Sequence, residues 1–150
     1  MSRRIRYAKV APKALESLGA PGTYLATASI PAKLRHLIEL RVSQINGCAY
    51  CVDKHVMEAR AAGETQQRLD CLIVWRETTL FDEKERAALQ WAEAVTALAP
   101  DHVSDASFDE VRRHYSELEV VDLTVIVAMM NAWNRLAISM RTTPPVRQVG

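Results

Sequence analysis

Apolar residues recur along most of this chain at the three- and four-residue spacing of amphipathic helices, and no segment shows the period-two alternation typical of a strand. The segment after Pro31 shows this pattern clearly, with apolar positions at Leu34, Leu37, Ile38, Val42 and Ile45. The pattern returns after Asp82 and again in the long apolar run Val120–Met140. The sequence therefore predicts an all-α protein, with one domain over residues 1–150 built from about six to eight helices.

Several helix ends are predicted from prolines and glycines. Pro12 suits the first turn of a short helix that Gly19 ends, and residues 20–22 (Ala-Pro-Gly) then form a turn. Glycine is the usual residue just past a helix end, so Gly47 and Gly63 are predicted to end two further helices.

In the second half of the chain, polar residues predict where helices begin. Asp82 is a good N-cap, and Glu85 is placed to complete a capping box with it. Residues 99–100 (Ala-Pro) are expected to stop that helix, and Ser107 is expected to cap the next one. Residues 141–150 are expected to form a tail.

Length, composition and charge limit the class of protein. At 150 residues, with 49% hydrophobic and 25% charged residues, the chain is ordinary for one globular domain with a real core. Its net charge of +1 gives no basic excess to meet phosphates, which excludes nucleic acid as the main partner. The N-terminal residues lack the apolar segment of a signal peptide, so we expect a cytoplasmic protein whose paired cysteines serve catalysis or metal binding.

The apolar run Val120–Met140 is long enough to resemble a membrane span. It contains Asp122, Asn131, Asn134 and Arg135, whose polar side chains are costly in lipid. We therefore predict a buried helix of a soluble protein with no membrane partner. The last three of these residues need polar partners inside an apolar helix, and we expect a subunit interface to supply them.

The candidate chemistry is concentrated in the helix predicted over Cys48–Ala62. Cys48, Cys51 and His55 stand at i, i+3 and i+7 and share one stripe of that helix. A helix start favours a thiolate, the i, i+3 spacing brings two sulfurs within reach of disulfide geometry, and histidine can take or relay a proton. His55 is one turn from Cys51, whereas Cys48 is nearer the helix start. The spacing alone does not decide which sulfur attacks first.

Three other interpretations fit the same residues. His36, Cys48, Cys51 and His55 form a two-cysteine, two-histidine set of the kind that zinc prefers, provided that all four side chains converge. The chain can also be a non-catalytic homo-oligomeric binding protein on the same fold. In the simplest interpretation, both cysteines pack as small apolar side chains and the histidine faces solvent. The remaining cysteine, Cys71, lies on an apolar helix stripe and is expected in the core.

The segment Leu40–Cys51 (LRVSQINGCAYC), followed by His55, resembles the core motif of the AhpD-like alkylhydroperoxidase and carboxymuconolactone decarboxylase family. The motif region spans residues 34–63, and the resemblance continues as far as residues 131–135. It implies an all-α, AhpD-like domain that forms homotrimers or homohexamers and reduces hydroperoxides without a bound cofactor. The resemblance also implies that electrons come from an external dithiol or a lipoylated protein.

The resemblance further implies a role for each residue of the motif. Cys51 matches the cysteine that attacks the peroxide and becomes a sulfenic acid, and Cys48 matches the partner that donates a proton and then closes the disulfide. His55 matches the histidine of the proton relay. Redox members usually carry the relay glutamate twelve residues before the first cysteine, where this chain has His36, and Glu39 one turn later is the candidate substitute. The lactone decarboxylases of the family lack the cysteine pair, so that activity is not expected here.

Overall fold

In a computed structural model, which describes residues 2–98 and 102–147, the chain folds into eight α-helices and one short 3₁₀ helix. They are α1 (Tyr7–Val10), α2 (Pro12–Leu25), α3 (Ala32–Ile45), α4 (Ala49–Ala61), α5 (Gln66–Cys71), the 3₁₀ helix (Leu72–Glu77), α6 (Glu83–Ala97), α7 (Asp105–His114) and α8 (Glu117–Ser139). No strand occurs within the two described ranges, so the predicted all-α fold is confirmed.

The helix α3 is covered by apolar side chains on two sides. Its Ile38 and Val42 belong to one apolar cluster, to which α8 contributes Ile126. Its Leu37 and Leu40 belong to a second cluster, beneath α6 and the 3₁₀ helix. All four of these α3 side chains are completely buried. Because protein interiors are close-packed, this double burial also fixes the position of the polar side chains that α3 carries.

The long helix α8 lies against α2, α3 and α6. Among the helices of the described ranges, it is the one that is long and apolar enough to cross a membrane by length and composition. Its Asp122 and Asn134 are nevertheless buried inside the protein, and its Leu123, Ile126 and Val127 fill the core. These buried side chains agree with the core helix that was predicted for this run.

Three predicted helix boundaries are confirmed. Gly47 and Gly63 follow helix ends with φ angles of 68° and 87°, in the left-handed region where glycine avoids the steric cost of a Cβ. Asp82 caps α6, since its carboxylate accepts from the Glu85 amide at 2.8 Å and its own amide donates to the Glu85 side chain at 3.0 Å. The turn at Gly47 leads directly into α4 and so positions the cysteine motif.

The predicted end of a helix at Gly19, and with it the predicted Ala-Pro-Gly turn, is wrong. α2 continues to Leu25 and includes Gly19, Pro21 and Gly22. The reason lies in tertiary packing: α2 lies along α8, where Leu25 is buried and Gly22 brings the backbone close to Met129. This burial outweighs the poor helix propensity of glycine and proline.

Two further helix starts differ from the prediction. Ser104 caps α7 in place of Ser107, because the Ser104 hydroxyl accepts from the Ser107 amide at 3.2 Å. α8 begins at Glu117, earlier than predicted, because Ser116 and Glu119 form a capping box. The Ser-x-x-Glu signal for this second start is present in the sequence.

Part of the C-terminal prediction concerns residues that the structure does not describe. The predicted helix stop at residues 99–100 lies outside the described ranges, although α6 ends just before it, at Ala97. Residues 142–147 form no helix, as expected for a tail, and residues 148–150 lie outside the described ranges.

The amide side chains of α8 find their partners within the same chain. The Asn46 side chain donates to Asn134 Oδ1 at 2.9 Å and to Asn131 Oδ1 at 3.1 Å. Asn134 in turn donates to the Ser43 hydroxyl, and Arg135 donates to the side-chain oxygen of Asn131. The expectation that a subunit interface supplies these partners is therefore wrong. The network instead ties α8 to the turn that precedes α4.

Candidate active site

The two cysteines of the motif lie at the start of α4. Cys48 is the N-cap residue, and its sulfur accepts a hydrogen bond from the Cys51 amide at 3.4 Å. The two sulfurs are joined in a disulfide, with their Cα atoms 5.3 Å apart. Both residues are buried, whereas Cys71 is free and only partly buried, so its predicted place in the core is not confirmed. The cysteine pair is thus redox-capable and lies where the helix dipole favours a thiolate.

A cavity of about 380 Å³ reaches one of these two cysteines. The polar wall of the cavity comes from α3 and α4 and includes Arg35, His36, Glu39, Lys54, His55 and Glu58. The apolar wall comes from α2 and α8 and includes Leu25, Met129, Met130, Trp133 and Ala137. Cys51 lines the cavity, whereas Cys48 does not. Cys51 is therefore the cysteine of the pair that faces a molecule in the cavity.

Glu39 links the two histidines of the motif region. Its Oε2 is hydrogen-bonded to His36 Nδ1 at 2.8 Å and lies 3.2 Å from His55 Nδ1. His55 Nδ1 also lies 2.9 Å from Glu58 Oε2, on the same helix. The two imidazole rings stack with their centroids 6.5 Å apart. The structure thus brings together His36, Glu39 and His55, all three of which the sequence singled out. His55 is the member of this group on α4, one turn beyond Cys51.

The charges of this cluster shift the pKa values of its members. Burial raises the pKa of Glu39, but the facing imidazoles of His36 and His55 more than offset this effect and lower it to about 2. Contact with His55, together with Lys54, lowers the pKa of Glu58 to about 2. Burial lowers the pKa of His55, but Glu39 and Glu58 more than offset it, so the pKa is raised above its ordinary value. Both carboxylates are therefore ionised at neutral pH, and the His55 imidazole is stabilised in its protonated form.

Some site residues were not predicted from the sequence. Glu58 stands three residues after His55, a spacing that places two side chains on one helix face, so a local signal for it exists. Lys54 donates to Glu58 Oε1 at 2.5 Å and also lines the cavity. No local pattern indicates the apolar wall, because Met129 and Trp133 belong to α8 and meet the site only through tertiary packing.

The two-cysteine, two-histidine zinc set is not formed in this structure. Cys48 and Cys51 are bonded to each other, so neither sulfur is available as a thiolate ligand. His36 and His55 converge instead on the carboxylates of α3 and α4. The interpretation in which His55 faces solvent does not hold either, because this residue is only 5% exposed.

Comparison with known sequences places the chain in a family. Residues 11–94 match the sequence profile of the Carboxymuconolactone decarboxylase family. The chain is also 41% identical over 140 residues to the uncharacterised protein YdfG of Bacillus subtilis. This match covers 93% of the present chain and 95% of YdfG. This protein therefore belongs to the Carboxymuconolactone decarboxylase family, as the motif predicted.

Solved structures show the same arrangement of helices. One of them is the protein ATU0492 of Agrobacterium tumefaciens, which is of unknown function and is described as a candidate antioxidant defence protein AhpD. It is 41% identical to this chain, with a TM-score of 0.93, and the match covers 97% of this chain and 100% of ATU0492. The debrominase Bmp8 is 26% identical, with a TM-score of 0.80 over 90% of this chain and 73% of its own. The predicted AhpD-like fold is confirmed, and one of the proteins that share it is a debrominase.

Proposed function

We propose that this protein is a thiol-dependent peroxidase that reduces hydroperoxides through Cys48 and Cys51. The observation that carries the proposal is the position of Cys51, which lines the cavity beside a carboxylate-linked pair of histidines. Its partner Cys48 is only 1% exposed and does not line the cavity. The motif spacing left the order of attack open, and the cavity supports Cys51 as the attacking residue.

The proposed reaction uses both cysteines in turn. The Cys51 thiolate attacks one oxygen of the hydroperoxide, the O–O bond breaks, and the leaving alkoxide takes a proton from Cys48 to give an alcohol. Cys51 is then a sulfenic acid. The Cys48 thiolate attacks this sulfur, and the displaced hydroxide leaves as water after protonation, so a disulfide forms. An external dithiol returns two electrons and two protons by thiol–disulfide exchange.

His55 is the base and proton carrier in this scheme. It stands one turn after Cys51 on α4, takes the thiol proton before attack, and returns it to the leaving hydroxide. Glu39 faces His55 from the adjacent helix and stabilises its protonated form, with His36 on the other side of the carboxylate. The contact of one carboxylate with both histidines supports Glu39 as the relay carboxylate, since the position where the family usually carries a glutamate holds His36 here.

The electron donor, location and assembly in this proposal follow from the family resemblance. We propose a cytoplasmic homotrimer or homohexamer that is reduced by an external dithiol or by a lipoylated protein. Apolar side chains that subunits can cover are exposed at Ile73, Val74, Leu118 and Val121. Light scattering coupled to gel filtration measures the assembly, and a monomer would contradict this part of the proposal without affecting the chemistry.

The main test is hydroperoxide consumption with dithiothreitol as electron donor. Cys51→Ser is expected to abolish turnover, because its hydroxyl cannot form the sulfenic acid or the disulfide. Cys71→Ser is the matched control, since it removes a free cysteine outside the pair, and it is expected to keep full activity. Full activity in the Cys51→Ser variant would show that the assignment is wrong.

The similarity to Bmp8 supports a second candidate, thiol-dependent reductive dehalogenation. A variant of Bmp8 in which one cysteine is replaced by alanine is known in complex with 2,3,4-tribromopyrrole, and the cavity of the present chain has an apolar wall with the aromatic side chain of Trp133. Bromide release from this bromopyrrole in the presence of dithiothreitol tests the candidate. If neither Cys48 nor Cys51 is oxidised by peroxide and no bromide is released, a non-catalytic binding role on the same fold is favoured.

A further inference from the structure

Four side chains beside the cysteine pair converge on one small volume at the cavity wall. They are His36 and Glu39 of α3 and His55 and Glu58 of α4, and one nitrogen or oxygen of each lies within 4.8 Å of all the others. Around the ring that these atoms form, the separations are 2.8 Å from His36 to Glu39, 3.2 Å from Glu39 to His55, 2.9 Å from His55 to Glu58 and 3.9 Å from Glu58 to His36. Ligands about 2.05 Å from a tetrahedral zinc ion lie about 3.3 Å apart, so this cluster already has nearly the required size.

The His55 nitrogen that faces the cluster has no hydrogen-bond partner. His55 is only 5% exposed, and its Nδ1 is completely buried. Oxygens of Glu39 and Glu58 lie near this nitrogen, but neither is aligned with it well enough for a hydrogen bond. A buried imidazole nitrogen without a hydrogen-bond partner is a polar atom that a shared cation would satisfy.

Neighbouring cations hold the two carboxylates so that one oxygen of each is left for the cluster. Lys54 binds Oε1 of Glu58 at 2.5 Å, and Arg35 approaches Oε1 of Glu39 at 3.9 Å. The Oε2 atoms, which face the two histidines, are not used by either cation. Such outer contacts orient metal ligands in proteins. The Glu58 side chain is also 36% exposed, which gives an ion a route from solvent.

We propose that His36, Glu39, His55 and Glu58 form a binding site for a divalent transition-metal cation of the zinc type. Nδ1 of each histidine and Oε2 of each glutamate are the ligands, and the two carboxylates balance the charge of the ion. The ligand set contains no cysteine and so differs from the two-cysteine, two-histidine set that the sequence allows. Binding rests on this geometry and does not depend on the peroxidase proposal. A bound cation occupies the nitrogen of His55 that faces Glu39 and disfavours protonation of this imidazole, so metal binding and proton transfer compete.

The test is calorimetric titration of the protein, with its Cys48–Cys51 disulfide intact, with zinc chloride alone. The intact disulfide removes both motif thiolates as competing ligands. We expect one zinc ion per chain and at least a tenfold loss of affinity in each of two variants, His36→Gln and Glu58→Gln. The second variant alters a partly exposed residue and keeps the test decisive if the first does not fold. The matched control is the pair Glu110→Gln and His114→Gln, which removes a histidine–glutamate contact of 3.4 Å on α7 and is expected to bind zinc normally.

A second measurement identifies the ligands. Cobalt(II), added in place of zinc, is expected to give the visible absorption of a tetrahedral site without the near-ultraviolet charge-transfer band of a thiolate ligand. Any one of four results would overturn the proposal: no stoichiometric zinc binding, unchanged zinc affinity in the Glu58→Gln variant, loss of zinc binding in the α7 control, or a thiolate band in the cobalt spectrum. If the parent protein shows no peroxide turnover, the zinc proposal still stands, because zinc binding is measured on the oxidised form.

Discussion

The carboxylate of Glu39 lies 3.2 Å from Nδ1 of His55, although the two residues belong to different helices. α3 carries the glutamate and is covered on two sides by apolar clusters, and α4 begins immediately after the turn at Gly47. The contact therefore depends on the angle at which that turn sets α4 against α3. It connects the cysteine motif to a buried negative charge, which is the feature that separates this site from a simple pair of buried cysteines.

Replacing Glu39 with glutamine is expected to lower kcat/KM for hydroperoxide by about a hundredfold, because His55 loses the negative charge that raises its pKa and stabilises it after it takes the thiol proton. The rate at which iodoacetamide alkylates Cys51 in the reduced protein is expected to fall in parallel, and a purely structural role would not produce this effect. Glu77→Gln, an exposed substitution of the same type, serves as the control. Wild-type turnover in the Glu39→Gln variant at an unchanged melting temperature would remove Glu39 from the relay.

Replacing Cys48 with serine is expected to stop the reaction after the first step. Cys51 then consumes one equivalent of hydroperoxide and remains a sulfenic acid, because no second thiolate closes the disulfide. Mass spectrometry after dimedone treatment detects the adduct on Cys51. If the Cys51→Ser variant instead forms a dimedone adduct on Cys48, then Cys48 is the attacking cysteine and the proposed roles are wrong.

Replacing Glu93 with glutamine is expected to destabilise the fold at neutral pH but not in acid. Burial raises the pKa of Glu93, but hydrogen bonds from Trp75, Arg76 and Arg41 more than offset it, so the pKa is lowered. A carboxylate whose folded-state pKa is below its unfolded value stabilises the fold above the unfolded pKa, and this contribution is lost as the pH falls through the folded pKa.

We therefore expect Glu93→Gln to lower the free energy of unfolding by about 2 kcal/mol at about pH 7, and the difference from the parent to shrink towards about pH 3. Urea denaturation at several pH values measures it. Glu16→Gln, at an exposed position on α2, is the control. A difference that stays constant across this pH range would show that the effect is steric and not electrostatic.

Replacing Gly22 with leucine is expected to weaken the binding of bulky hydroperoxides more than that of small ones. Gly22 lines the cavity, and a Cβ there would lie 3.8 Å from Met129 Sδ, so a larger side chain takes up space at the apolar wall. We expect KM for cumene hydroperoxide to rise severalfold, while KM for hydrogen peroxide changes little. Ala20→Leu, at an exposed position of the same helix, is the control. Equal effects on both substrates would indicate a general disturbance of α2.

Several features of this protein were determined by local sequence. The i, i+3, i+7 spacing of Cys48, Cys51 and His55 places them on one helix stripe whatever the rest of the chain does. The left-handed turn at Gly47 and the capping box of Asp82 also depend only on neighbouring residues, which is why both were predicted correctly. The all-α fold follows from the helical period of the apolar residues in the same way.

Other features were decided only by the tertiary structure. α2 continues through Gly19 and Pro21 because α8 covers it, which no local propensity shows. Asn131 takes its partner from the Asn46 turn, although the sequence suggested a second subunit.

The tertiary structure also decided that Cys51 faces the cavity and that Glu39 lies close to His55. Both depend on how α3, α4 and α8 are placed against one another. That placement results from the burial of apolar side chains that are far apart in the sequence, so spacing within one helix does not determine it.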